Sequence, residues 1–194
     1  MSDSLSLEVF QRLRGQVIEI RKVAEGLQST NATVAHSLRR SAYVLSVAAL
    51  DTYFHEKAAA RLYQAACADA TGAARVANYV QSVSAADVSG VLGESYIKLR
   101  LSYKTLVAPR TVNSAIAAWG DDADAVWMKF ALSNSSRPDR EQRQLELVYD
   151  RRNQIAHEAD WDSVQLDFRP MEEAHLADCL STVTRVAEGF DKLI

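Results

Sequence analysis

ATVAHSLRRSAYVLSVAALDTYFHEKAAARLYQAACA, residues 32–68, contains neither glycine nor proline. Apolar residues recur along it at steps of three and four, the spacing that places side chains on one face of an α-helix. These residues are Leu38, Ala42, Leu45 and Ala49. The stretch therefore predicts one very long helix, which follows a polar break at 28–31 where a serine or threonine can act as the N-cap.

Further helices are predicted on both sides of this stretch. An apolar stripe predicts a first helix over roughly 5–28, and a third long helix is predicted over 139–159 with Asp139 as its cap. The residues 160–168 are predicted to be a loop with a short extended piece at 164–168, after which Pro170 opens a last helix. Between turn residues, shorter helices are predicted over 73–82, 95–107, 110–118 and 121–131.

Length and composition favour a single all-α domain. The chain has 194 residues, of which only 7 are glycine and 3 are proline, so that long helices with few connections are expected. A chain of this length can bury about 70% of its extended surface without a disulfide. We predict one domain over 1–194, a helical bundle with an inserted, variable helical region at 71–138.

Charge and cysteine content restrict the classes of function and location. The net charge of −3 gives no overall attraction to nucleic acid, so any such contact requires a local basic cluster. Cys67 and Cys179 lie far apart without CxxC spacing, which argues against a zinc site or a disulfide. The first residues lack a signal-peptide pattern, and no stretch approaches 18 apolar residues. A cytoplasmic protein without a membrane span is expected.

An arginine interrupts the apolar stripe of the third long helix. Leu145, Val148 and Ile155 define that stripe, and Arg152 falls on it. A charge on a buried face is uncommon, because it needs a counter-charge or water. Arg151 precedes it, so the bland alternative is a solvated basic turn near a helix C-terminus.

A histidine lies one turn further along the same helix. Tyr149, Asn153 and His157 follow one another at four-residue steps and share a face, on which Asn153 can hydrogen-bond and orient the imidazole. Arg152 and His157 are about 140° apart on an ideal helix, so one helix does not easily aim both at one ligand. A two-fold partner presents the same patch twice and can bring both residue types to one cleft.

These residues resemble a known family. Arg152-Asn153-Gln154-Ile155-Ala156-His157 matches the R-N-x-x-x-H form of the Rx4-6H motif of HEPN domains (higher eukaryotes and prokaryotes nucleotide-binding). The strings RRNQIAHEAD, ALDTYFHE and RPMEEAHL are similar to the RiboL-PSP branch of that superfamily. The resemblance covers roughly 32–66 and 139–194 and leaves the middle region unmatched. It implies a HEPN-like helical bundle.

The resemblance also implies a function, that of a metal-independent endoribonuclease with its site across a homodimer. RNA cleavage by attack of a ribose 2′-OH needs proton transfer and a cation beside the phosphorane, roles that fit His157 and Arg152. Asn153 would fix the imidazole or the phosphate, and Arg151 would hold the flanking backbone. Supporting positions are Tyr149, Glu158 and Asp51, the last equally explicable as a structural ion pair.

Partners and the competing function also follow from the resemblance. RNA is the expected ligand, no metal or cofactor is expected, and an antitoxin or defence-system protein is a candidate partner. A related HEPN branch carries a modified tyrosine two places after the histidine, where this chain has Ala159. The alternative function is a non-catalytic dimer that binds RNA, a nucleotide or a protein, because a fold alone implies no activity.

Several other residues are interpreted as structural. His55 and Glu56 are adjacent and therefore face apart on a helix, which disfavours a metal or acid–base pair. His36, Arg39 and Arg40 are interpreted as a solvated face, with phosphate contact by either arginine as the minority view. Four further residues are expected to be structural or packing anchors: His175, Trp119, Trp127 and Trp161.

Overall fold

A computed structural model describes residues 4–194, which form nine α-helices and one two-stranded antiparallel sheet. The helices are α1 (Leu5–Leu27), α2 (Ala32–Ala68), α3 (Ala70–Val80), α4 (Ala85–Ser89), α5 (Gly93–Leu101), α6 (Pro109–Trp119), α7 (Ala123–Ser133), α8 (Pro138–Glu158) and α9 (Glu173–Asp191). The strands are β1 (Trp161–Asp162) and β2 (Asp167–Phe168). The all-α prediction is confirmed.

The long helix α2 lies at the centre of the bundle. It contacts α1, α3, α5, α6, α8 and α9. Asn31 caps it by accepting the backbone N–H of Val34 at 3.2 Å, so the expected serine or threonine cap is wrong. Both α1 and α2 end within one residue of the predicted positions, because an uninterrupted apolar period and a polar break define both helices.

Aromatic side chains from α2, α7 and α9 form the middle of the core. Phe190 contacts Phe54, Trp127 and Phe130, with ring centroids 4.9–5.5 Å apart. Most of these rings meet edge to face, a geometry that adds about 0.5–1.5 kcal/mol per pair to the burial of apolar area. The predicted anchoring role of Trp127 is confirmed, since its side chain is fully buried.

Three of the four helices predicted in the middle region correspond to α3, α6 and α7, with ends shifted by up to three residues. The predicted helix 95–107 is too long, because α5 ends at Leu101 and residues 102–108 form a loop. Asp51 on α2 holds this loop by accepting the N–H of Leu106 at 2.7 Å. The short helix α4 was not predicted, since five residues are too few to show a helical period. Its start is fixed by a capping box between Ser84 and Asp87.

The boundaries after residue 137 also need correction. α8 begins at Pro138, and Asp139 lies inside its first turn rather than at the cap. The extended piece predicted over 164–168 is limited to β2. α9 begins at Glu173 instead of Pro170, because Glu172 acts as its N-cap in a capping box with His175, and the fully buried Met171 lies just before it. No helix within residues 4–194 combines the length and the apolar character needed to cross a membrane.

Candidate functional site

Helix α8 places Arg152 at the edge of the core. Leu145 and Val148 on the same stripe are buried, and Arg152 itself is half-buried. Its Nη1 donates to Oδ1 of Asn153 at 3.0 Å, whereas its Nε is buried and has no hydrogen-bond partner among the described residues. An unmet buried donor costs about 1–3 kcal/mol. The guanidinium therefore retains capacity to bind an anion.

Asn153 contacts the arginine and not the histidine. Its Oδ1 accepts from Arg152, so the predicted hydrogen bond between Asn153 and the imidazole of His157 is wrong. Arg152 and Asn153 are adjacent in the chain, and the long side chain of the arginine folds back to the short side chain of the asparagine. Asn153 consequently restricts the position of the Arg152 guanidinium.

His157 lies in the last turn of α8 and is exposed. Within residues 4–194 its ring makes neither a hydrogen bond nor an ion pair. The ring is thus free to contact a ligand, but no group among the described residues orients it towards Arg152.

A buried ion cluster fixes the backbone directly after the motif. Asp160 is fully buried, and its Oδ2 accepts from Nε of Arg40 at 2.7 Å and from Nη2 of Arg151 at 3.1 Å. Ala159 and Asp160 both adopt the left-handed conformation, with φ of 50° and 60°, which turns the chain out of α8. Two cations around one buried carboxylate offset its desolvation. The cluster therefore sets where α8 ends.

This cluster corrects two predictions from the sequence. Arg151 is bound to Asp160 and to the carbonyl of Pro170 at 3.2 Å, so it supports the helix end and is not free to hold RNA. Arg39 and Arg40 do not form a solvated face. Arg39 is 3% exposed, and its Nε lies 3.5 Å from Oε2 of Glu173. Arg40 forms an ion pair with the buried Asp160.

The remaining supporting positions do not converge on Arg152 and His157. Tyr149 is half-buried against the core, and Glu158 reaches Arg169 at 3.4 Å. Asp51 accepts the N–H of Leu106 and lies 3.6 Å from the ring of His55. Its role in the structure is therefore to hold neighbouring residues and not to support Arg152.

The other histidines and the tryptophans have structural contacts. His36 Nδ1 lies 2.9 Å from the carbonyl of Met171, and His55 Nε2 lies 3.0 Å from that of Lys104. His175 accepts the N–H of Glu172 at the start of α9. Trp119 and Trp127 are buried, whereas Trp161 is exposed and stacks edge-on against Phe168. No group of metal-ligating side chains occurs in the part of the chain that the structure describes.

A cavity of about 630 Å³ lies beside α8, on the side of Arg151. Tyr43, Cys179 and His175 are among its lining residues. Burial raises the pKa of the Cys179 thiol to about 12, so this sulfur stays protonated and does not act as a nucleophile at neutral pH.

No family model, curated protein or solved structure matches the chain. The chemistry of the site must then be argued from its own residues. A half-buried guanidinium with an unmet donor is suited to the anionic oxygens of a phosphate group, and an exposed imidazole on the same helix can exchange a proton with a hydroxyl next to that phosphate.

Proposed function

We propose that the protein is a metal-independent endoribonuclease that cleaves single-stranded RNA at a site formed by two copies of the chain. The observation that carries the proposal is the buried Nε of Arg152, which has no hydrogen-bond partner within residues 4–194, together with the exposed His157 further along the same helix. The ribose 2′-OH would attack the adjacent phosphorus, giving up its proton, while the departing 5′ oxygen receives one. Imidazole transfers these protons, and the guanidinium stabilises the phosphorane.

The need for two copies follows from the direction of the side chains on α8. Arg152 and His157 point about 140° apart around the helix axis, so one copy does not aim both at one phosphate. A two-fold axis near α8 would place the arginine of one protomer opposite the histidine of its partner. We expect light scattering on the purified protein to show a dimer at micromolar concentration. A ribonuclease of this kind would act in the cytoplasm, with an antitoxin or a defence-system protein as its partner.

Mixing two inactive variants tests this composite site. Arg152→Ala removes the phosphate contact and His157→Ala removes the proton carrier, so each homodimer should be nearly inactive. Random exchange of subunits makes half of the dimers mixed, and each mixed dimer keeps one intact pair across the axis. Cleavage should therefore recover to about one quarter of the wild-type rate. Recovery should be measured after co-refolding or co-expression. An inactive mixture whose mixed dimers are verified by mass spectrometry would contradict a site shared between protomers.

Chelation provides a second test of the mechanism. Because His157 and Arg152 supply the proton transfer and the positive charge, the cleavage rate should be the same with and without EDTA. The rate should be measured on metal-stripped protein with a labelled single-stranded RNA. Loss of cleavage on chelation that one divalent ion restores would show a metal mechanism instead.

A non-catalytic dimer remains the second candidate, and one observation favours it. Oδ1 of Asn153 accepts from Arg152, and no side chain in residues 4–194 orients the ring of His157. A ring without a fixed position is a poor general base but can still contact a bound phosphate. RNA that binds the wild type tightly and stays uncut would identify this second function.

A further inference from the structure

A basic cleft lies between α3, the 102–108 loop and the start of α6. Its volume is about 580 Å³. The side chains that define it are Tyr79, Gln81, Lys104, Thr105, Arg110 and Thr111. This region belongs to the part of the chain that the HEPN resemblance does not cover, so the motif gives no reason to expect a site here.

The cleft collects positively charged side chains that form no ion pairs within the described residues. Lys104 and Arg110 line it, and Nε of Arg100 donates to the carbonyl of Gln81 at its rim, at 3.1 Å. None of these three cations forms an ion pair with any residue that the structure describes. The nearby carboxylate of Asp51 is already engaged by the Leu106 N–H and by His55. The lining itself contains no acidic residue.

Lys104 is held in this position at a cost. Its Nζ donates to the carbonyl of Tyr79 at 2.7 Å and lies 3.9 Å from the centre of that ring. Partial burial, followed by repulsion from Arg100, lowers the pKa of the Lys104 ammonium. A bound anion would oppose both effects, because it favours the charged form of the amine.

The cleft continues towards the motif on α8. Arg110 and Ser114 also line a second groove of about 830 Å³, whose other wall includes Gln142 and Glu146 of α8. From Gln142 the same helix face passes through Glu146 and Asn153 to His157, at steps of four, seven and four residues. The rise of 1.5 Å per residue gives about 22 Å from Gln142 to His157. Because Asp139 and Glu146 lie in the second groove, the anion site is confined to the first cleft.

We propose that the cleft formed by Lys104 and Arg110 binds the phosphate backbone of single-stranded RNA at a distance from the cleaved bond. The inference rests on the proposed ribonuclease function. Lys104 and Arg110, which form no ion pair within the described residues, are suited to phosphate oxygens, and the hydroxyl of Thr105 is a further donor to them. These contacts carry no base specificity. The cleft therefore adds affinity for longer RNA without restricting its sequence.

Salt dependence of binding tests the cleft without relying on cleavage. We compare the double variant Lys104→Gln/Arg110→Gln with a matched pair, Arg12→Gln/Lys129→Gln, which removes two exposed cations elsewhere. His157→Ala is the background, so that the RNA stays intact. Fluorescence anisotropy of a labelled single strand should show the slope of log K against log salt becoming shallower by about 1.4 in the cleft variant. The matched pair should leave the slope unchanged.

Each outcome separates the cleft from the ribonuclease proposal. An unchanged slope with normal wild-type cleavage overturns the cleft alone. A shallower slope without His157-dependent cleavage supports the cleft and overturns the ribonuclease. If neither the wild type nor any of the variants binds RNA, both proposals are overturned. If the double variant melts early, Arg110→Gln replaces it, because this side chain is exposed and makes no hydrogen bond or ion pair within the described residues; its slope should change by about 0.7.

Discussion

His157→Ala is expected to lower the rate of RNA cleavage by about 10²–10⁴-fold, the range for a positioned acid or base. The side chain is exposed and makes no hydrogen bond within residues 4–194, so its removal should leave the thermal melt unchanged. Binding should persist, because Arg152 keeps its contact with Asn153 and its free Nε. Single-turnover cleavage and anisotropy on the same preparation measure both quantities.

The matched control is Asp150→Ala, which removes another exposed side chain of α8 two turns before His157. It should cleave at the wild-type rate, apart from a small change due to charge. Full activity of a folded His157→Ala dimer would remove the proton-transfer role and leave the binding function. Unfolding of that variant would mean that His157 is structural, contrary to its exposure.

The long helices were predictable because their information is local. Residues 32–68 have apolar residues at an unbroken helical spacing and contain neither glycine nor proline. The tertiary contacts of this segment stabilise the same helix that its local sequence favours. α5 shows the opposite case. Its predicted end at 107 was wrong because Asp51, on another helix, holds the backbone of Leu106 in a loop. Such a contact between distant residues leaves no trace in the local period.

The candidate site was predictable to a similar extent. The spacing of Leu145, Val148 and Arg152 predicts that they share one face of α8. The structure confirms this, with the two apolar residues buried and Arg152 half-buried. The cluster around Asp160 could not, because Arg40 lies 120 residues away in the chain. Charged residues look solvated in a sequence whenever their partner is distant. That is why Arg39 and Arg40 were assigned to a solvated face.

The largest effect on stability is expected from Asp191→Asn. Lys57 Nζ lies 2.9 Å from Oδ1 of Asp191, and the two side chains are only 11% and 10% exposed. Ser4 also donates to this carboxylate and so ties the start of α1 to the end of α9. Loss of the negative charge leaves a buried ammonium without its partner, which costs about 3–5 kcal/mol. The melting temperature should fall by about 6–20 °C.

Acidity should reproduce the effect of this substitution in the wild type. Burial opposes the charged carboxylate of Asp191, but hydrogen bonds from Ser4 and Lys57 outweigh it and lower its pKa. A carboxyl whose folded pKa is depressed stabilises the protein above its unfolded pKa, about 3.9, and loses this contribution as the pH falls through the folded value. The melting temperatures of wild type and Asp191→Asn should therefore converge below about pH 4.

The double variant Lys57→Met/Asp191→Leu should melt near the wild type at neutral pH, since apolar replacement of both partners leaves no unpaired charge. A difference between wild type and Asp191→Asn that is the same at neutral and acidic pH would mean that the pair does not carry the stability.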